Sequence, residues 1–200
     1  CPAERVGAPS KAHLDRLLKI CDVAAIRRRK FRVLLDSNHG AGAVAGQPLL
    51  EALGCELTVL GSEPSGRFDH PAEPPEQNLE SVRAEVTGCQ ADIGFCQDPD
   101  ADRLALIDET GRYVGEEYTL AICVDHQLRR QAGPLLTNCS TSRMSEDLAS
   151  KYNVPFARSA VGEANVVDAM LARDAVLGGE GNGGVIDPRV GWVRDSLAGM

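Results

Sequence analysis

The sequence predicts an α/β protein made of two tandem domains, each with a mainly parallel, mixed sheet. Three observations carry that expectation. Apolar runs of strand length alternate with amphipathic segments of helix length, the pattern that builds parallel sheets through crossover helices. The alternation runs through once, reaches Gly115 and restarts at Glu117. Finally, 200 residues suffice for two small domains, each with its own core. The domains are expected at 1–115 and 116–200.

The elements follow in order. Over 12–26, Leu14, Leu17, Leu18 and Cys21 share one helical stripe, and Arg27-Arg28-Arg29-Lys30 follows where cations suit a helix C-terminus. Residues 31–35 are an apolar strand ending at Asp36. Gly40 and Gly42 turn the chain into a helix over 43–53, Gly54 stops it, and 55–60 is the next strand. This is a βαβ unit with an expected right-handed crossover. Prolines punctuate 61–75, a structured loop around Phe68 and His70. A helix over 76–88 leads to a strand at 91–96, an acid-rich turn at 98–102, a strand at 104–107 and a turn at 108–111. The second half reads as a helix over 117–131, a break at Gly133-Pro134 and a strand at 135–137. A helix over 142–152, a strand at 155–160 and a helix over 162–173 come next, before a strand at 176–177 enters a glycine-rich loop over 178–184.

Composition excludes several function classes. A formal charge of −8 argues against a broad phosphate-backbone footprint, and 4% aromatic residues leave little to stack on bases, so no nucleic-acid partner is expected. No run approaches the roughly 18 apolar residues of a membrane span, and the first residues lack a leader's apolar stretch. The expected setting is cytoplasmic, without membrane contact. Seven cysteines form no C-x-x-C pair, so reduced, mostly buried thiols are expected rather than a disulfide framework or a zinc site.

Asp98-Pro99-Asp100-Ala101-Asp102-Arg103 is the most informative stretch. Three carboxylates at alternate positions on a Pro-stiffened turn can converge on one hard cation, and oxygen-only ligands suit Mg²⁺. Arg103 adds a fork able to hold a carboxylate or a phosphate. Asp and Pro also populate turns for conformational reasons alone. The place of this turn at the C-terminal end of an apolar strand, where open α/β sheets bind ligands, favours the metal reading. An EF-hand starting at Asp98 would put Glu109 at its twelfth position, but Arg103 stands where Gly is needed, and a strand follows instead of a helix. A phosphatase with an aspartyl nucleophile would need a downstream Lys, and lysines are few.

Two glycine-rich stretches compete for function. Gly40-Ala41-Gly42-Ala43-Val44-Ala45 fits the Ala variant of the dinucleotide fingerprint, but four residues separate it from the strand, so close strand-to-helix packing explains it better. In 178–184, five glycines in seven positions leave only Glu180 and Asn182 with functional side chains. A carboxylate and an amide on one side of a bare loop can bind vicinal sugar hydroxyls; a flexible hairpin is the alternative.

Asp98-Pro-Asp-Ala-Asp-Arg103, followed about eighty residues later by Gly179-Glu-Gly-Asn-Gly183, resembles the α-D-phosphohexomutases: phosphomannomutase, phosphoglucomutase and phosphoglucosamine mutase. Asp36-Ser-Asn-His-Gly-Ala-Gly42, Phe68 with His70 and Pro74, Ser140-Thr-Ser-Arg-Met144 and Val161-Gly-Glu163 look similar too. The resemblance covers the chain from about residue 11 and implies the second and third of the family's domains. It implies a Mg²⁺-dependent exchange between hexose 1-phosphate and hexose 6-phosphate through a phosphoserine enzyme and a bisphosphate. Carried over, Asp98, Asp100 and Asp102 ligate Mg²⁺, Arg103 stands beside the phosphoryl group, and Glu180 and Asn182 read the sugar hydroxyls. The family's Ser-His-Asn-Pro loop has no counterpart here, nor does its last, phosphate-binding domain, so this stretch alone is expected to turn over nothing without the rest of a parent chain. Asn182 stands where Ser is commonest, Gly184 where His is usual, and Ala160 where Lys is frequent. A non-catalytic module binding a divalent cation or a sugar phosphate is the alternative.

Overall fold

The computed structural model describes residues 9–200, which leaves Cys1 outside. The chain forms two α/β domains, each with a four-stranded sheet, of order β2-β1-β3-β4 and β6-β5-β7-β8. In the first sheet β1 (Arg32–Asp36) pairs in parallel with β2 (Glu56–Leu60) and β3 (Ile93–Gln97), and β4 (Leu104–Asp108) runs antiparallel to β3. The second repeats this plan. Its β5 (Leu135–Asn138) lies parallel to β6 (Phe156–Ser159) and β7 (Leu177–Glu180), and β8 (Gly184–Ile186) is antiparallel to β7. The central strands are buried on both faces, as parallel strands covered by helices must be.

Helices cover both faces. On one face of the first sheet Leu17 of α1 (Pro9–Ile20) and Leu49 and Leu50 of α3 (Gly46–Ala52) pack with Val33, Leu35 and Phe95. On the other, Val82 and Val86 of α4 (Glu80–Gly88) meet Leu34, Cys96 and Ile107. In the second domain α5 (Glu116–Arg130) and α6 (Met144–Lys151) cover one face, and Val166 and Met170 of α7 (Glu163–Leu171) the other. The C-terminal segment crosses back: Val190 and Leu197, the latter in α8 (Ser196–Gly199), complete the core of the first domain.

Three local expectations need correction. The helix expected over 12–26 is two, because Asp22 caps a separate α2 (Val23–Arg29), its carboxylate accepting the Ala25 N–H at 2.9 Å. The glycine-rich loop over 178–184 is mostly strand. Its open turn is only 181–183, because Gly178 and Gly179 are strand residues under close neighbours: a Cβ on Gly178 would lie 2.4 Å from Met170 Sδ. The thiols are less hidden than expected. Among the described cysteines only Cys96 is fully buried, and Cys139 is exposed.

Candidate functional site: two hairpins joined by an arginine

Both candidate loops are hairpin turns at corresponding places in the two sheets, one joining β3 to β4 and the other β7 to β8. The acidic turn is anchored by its first residue. Asp98, buried, accepts the N–H groups of Asp102 at 3.1 Å and Arg103 at 3.0 Å on Oδ1, leaving Oδ2 toward the Arg103 guanidinium. Ala101 takes a left-handed backbone (φ 61°) that closes the turn. The turn rests on glycine: a Cβ on Gly40 would lie 2.4 Å from the Pro99 carbonyl, which accepts the Ala41 N–H at 2.7 Å. Gly42 likewise lies under the Gln97 side chain. The fingerprint-like glycines thus serve close packing.

The second domain supports the same turn from below. The Ala101 carbonyl accepts both the N–H (3.1 Å) and the Oγ–H (2.6 Å) of Ser196. Gln97 donates to Ser196 Oγ at 2.8 Å and accepts from Ser37 Oγ at 2.9 Å. Ser37, Gln97 and Ser196 are inaccessible to water. A buried polar chain therefore ties the end of β1, the end of β3 and the start of α8 to the acidic turn, with its hydrogen bonds made in a low-dielectric interior.

The three carboxylates do gather. One oxygen from each of Asp98, Asp100 and Asp102 lies within 4.8 Å of the others. Asp98 is buried, Asp102 half-buried and Asp100 exposed, so the cluster opens to solvent on one side. Burial pushes the Asp98 carboxyl up to about 7, with the charges of Asp102 and Asp100 adding to the effect and the Arg103 N–H opposing it. Asp102 is raised as well, chiefly by burial, with Arg194 pulling it down. Among the described residues its buried Oδ1 accepts no hydrogen bond, with Arg103 Nε 3.6 Å away. An orphaned carboxylate oxygen beside two further carboxylates, all hard oxygen donors, fits a divalent cation such as Mg²⁺. Arg103 lies across the cluster, its Nε 3.5 Å from Asp98 and 3.6 Å from Asp102, while Nη1 is paired with Glu73. Beside it, Ala41, Phe68, Glu73, Asp98 and Asp100 line a cleft of about 520 Å³.

Glu180 ends β7, buried, and its carboxylate is fully engaged. Oε1 accepts from Asn138 Nδ2 at 2.7 Å and the Gly162 N–H at 3.3 Å; Oε2 accepts from Arg194 at 2.8 Å and Asn182 at 3.4 Å. Asn182 is thus brought beside Glu180, as the alternate spacing suggests. The turn sits directly on the first domain: the Gly183 carbonyl accepts the Leu104 N–H at 3.2 Å, and a Cβ on Gly183 would lie 2.5 Å from the Leu104 carbonyl.

Arg194, which sequence reasoning missed, joins the two hairpins. Its three nitrogens pair with Asp102 on the acidic turn, Glu180 on the second hairpin (2.8 Å) and Glu163 at the start of α7 (2.9 Å). Its stem crosses Gly184, where a Cβ would lie 2.4 Å from Arg194 Cδ. A side chain at 184 would have to displace the Arg194 stem from this path. Nothing local marks Arg194. It lies 92 residues from Asp102, and the only signal would have been a cation opposite an acidic turn.

Known proteins place these features in a family. Residues 11–111 match the family described as phosphoglucomutase/phosphomannomutase, alpha/beta/alpha domain II, and residues 115–199 match its alpha/beta/alpha domain III. A phosphoglucomutase/phosphomannomutase of Thermococcus kodakarensis is 38% identical over 189 residues, 92% of this chain and 41% of that protein. A probable phosphoglucosamine mutase of Methanosarcina acetivorans is 34% identical over 86% of this chain and 39% of its own length. In fold, a putative phosphomannomutase from Thermus thermophilus superposes with a TM-score of 0.90 at 22% identity, over 98% of this chain and 46% of that one. The chain spans about 40% of the length of these curated relatives. With both domains matched in order and the acidic and glycine-rich hairpins in place, the chain belongs to the phosphoglucomutase/phosphomannomutase family.

Proposed function

We propose that this chain is the metal- and sugar-binding part of a cytoplasmic phosphohexomutase, which interconverts hexose 1-phosphate and hexose 6-phosphate through a phosphoserine enzyme and a bisphosphate. The observation that supports the reading is the convergence of the acidic hairpin and the Glu180 hairpin on one guanidinium, so that the carboxylates we assign to a cation and the one we assign to sugar hydroxyls share a neighbour. Asp98, Asp100 and Asp102 hold Mg²⁺, with the orphaned Asp102 Oδ1 as a ready ligand. Bound there, Mg²⁺ neutralises charge on phosphoryl oxygens and polarises the phosphorus toward attack.

The remaining roles belong to protein groups. Arg103, held across the cluster by Glu73 and the aspartates, presents its guanidinium to phosphoryl oxygens, where fork geometry orients them. Glu180 accepts from, and Asn182 donates to or accepts from, ring hydroxyls, a pairing that serves either orientation of a hexose. The nucleophilic serine and the phosphate clamp come from the rest of the mutase, so these 200 residues alone are without turnover.

The test is a chimera in which residues 11–199 replace the corresponding stretch of the Thermococcus kodakarensis relative. Mg²⁺-dependent mutase activity is expected, and Asp100→Asn in that chimera should lower kcat by at least about a hundredfold, the scale of losing an electrostatic transition-state contact. A folded chimera without activity, or an Asp100→Asn variant as active as its parent, overturns the reading.

A further inference from the structure

The most economical use of a buried carboxylate in sugar recognition is to leave its oxygens free, and Glu180 does the opposite. A carboxylate offers about four acceptor sites. In Glu180 four protein donors already take them: Asn138 and Gly162 on Oε1, Arg194 and Asn182 on Oε2. For Glu180 to accept a sugar hydroxyl, one of these donors has to let go. Asn138 is buried and fixed by its own bonds to the 140–141 turn, and the Gly162 N–H belongs to the backbone. Asn182 donates only at 3.4 Å, so its release frees little of the acceptor. Arg194, at 2.8 Å on the same oxygen, is the long, charged and reorientable partner, and it is shared with Asp102, whose other oxygen accepts no hydrogen bond among the described residues.

We infer that Arg194 is a positioning residue that interlocks the two halves of the site: it covers Glu180 while the aspartate cluster is empty of cation and uncovers it when a divalent cation binds. The inference rests on the metal- and sugar-binding reading above. Its physical basis is competition for one carboxylate. A dication on Asp102 withdraws that carboxylate from the guanidinium and repels the guanidinium directly, at short range in a partly buried site where screening is weak. Arg194 is then left with Glu163 and Glu180. Glu163, on the more accessible edge, has no other hydrogen-bond donor from a side chain among the described residues and can keep the guanidinium alone. Gly184 supplies the room, since the stem lies across a position where any side chain would block it. Linkage makes the effect reciprocal: a sugar that takes Glu180 tightens cation binding by the same factor by which the cation tightens the sugar.

Three measurements on the 200-residue chain test this. Mn²⁺ binding, read by electron paramagnetic resonance of the free ion, is compared between the wild type, Arg194→Met and Asp100→Asn. Arg194→Met is expected to bind Mn²⁺ at least about tenfold more tightly, because a competing unit charge is gone; equal or weaker binding overturns the interlock. Binding of mannose 1-phosphate, followed by ligand-observed NMR, is expected to strengthen about tenfold on saturation of the wild type with Mg²⁺, within the usual range of coupling between sites. In Arg194→Met it is expected to be the same with and without Mg²⁺; coupling that persists overturns the inference. The third measurement needs no variant. The Nε–H resonance of Arg194, assigned by its absence in Arg194→Lys, is expected to shift when Mg²⁺ saturates the chain, and an unmoved resonance overturns the inference even if Arg194→Met fails to fold. The two readings fail separately. If wild type binds Mn²⁺ no better than Asp100→Asn, the metal centre falls and the interlock with it; if it does bind but Arg194→Met behaves like wild type, the interlock alone is lost.

Discussion

The hairpin between β3 and β4 and the hairpin between β7 and β8 occupy the same place in two sheets of the same strand order, yet they are built from opposite materials. The first is crowded with charge and stiffened by Pro99, and it closes on Ala101 in a left-handed conformation. The second is nearly bare and closes on Gly183, also left-handed (φ 88°). The same contrast appears at the ends of the central strands. Asp36, last in β1, accepts from His70 at 2.7 Å; Asn138, last in β5, donates to Glu180 at 2.7 Å. One topology thus yields two differently built turns. An acidic half suits a cation, and a bare half lets the neighbouring domain approach the backbone closely.

The largest expected effect tests whether the two halves are also one folding unit. Leu34 of β1 and Leu136 of β5 are fully buried at matching positions. Replacing either with Ala should cost about 2–5 kcal/mol through lost burial and the cavity left behind. Because Val190 and Leu197 sit in the core of the first domain, both variants should shift one common transition. In urea, the fluorescence of Trp192, in the crossing segment, and far-UV circular dichroism should give coincident curves. Separate midpoints for the two probes would divide the molecule into independent units.

The next effect sharpens the contrast between the two turns. Gly183→Ala forces a side chain into a left-handed position with the Leu104 carbonyl 2.5 Å from its Cβ, and should cost about 2–4 kcal/mol. Ala101→Gly removes a left-handed penalty and adds freedom to the unfolded chain, so the two terms offset and the change should lie within about 1 kcal/mol. Thermal unfolding of both variants checks the asymmetry. A larger loss at Ala101 than at Gly183 would mean that the acidic turn, not the bare one, is where the domains are most tightly fitted.

These contrasts also show what a sequence displays and what it conceals. The strands and most helices were legible because their apolar runs are local, as in 31–35 or 55–60. The acidic turn was legible because its carboxylates repeat at alternate positions within five residues. The break at Asp22 was hidden by the apolar stripe of 12–26, which runs on past the capping carboxylate. The glycine strand at 178–180 read as loop because Gly carries no strand propensity; the cause, Met170 and Leu136 pressing on the backbone, lies elsewhere in the chain. Arg194, Gln97 and Ser196 escaped for the same reason. The contacts that reveal them, Arg194 to Asp102 and Gln97 to Ser196, span 92 and 99 residues, and no local period encodes such a contact.

The smallest expected effect separates the halves by pH. The bond to Asp36 raises the His70 imidazole above its ordinary value, with burial opposing. A histidine raised in the folded state stabilises fully below about pH 6.5, its unfolded range, and the contribution fades as pH climbs through the folded value. Asn138 at the end of β5 carries no titratable group, so the comparison is confined to the end of β1. Asp98, raised to about 7, bends stability the same way, because burying its ionised form is unfavourable as pH rises from the ordinary carboxylate range through 7. The two are distinguished by subtraction. In the Asp98→Asn background, unfolding free energy should still fall by about 1.5–3 kcal/mol between pH 6 and pH 9, the worth of one charge-assisted hydrogen bond. Adding His70→Asn should flatten that curve. If the slope persists in the double variant, the titrating group lies outside the β1 end, and the contrast between Asp36 and Asn138 is one of geometry alone.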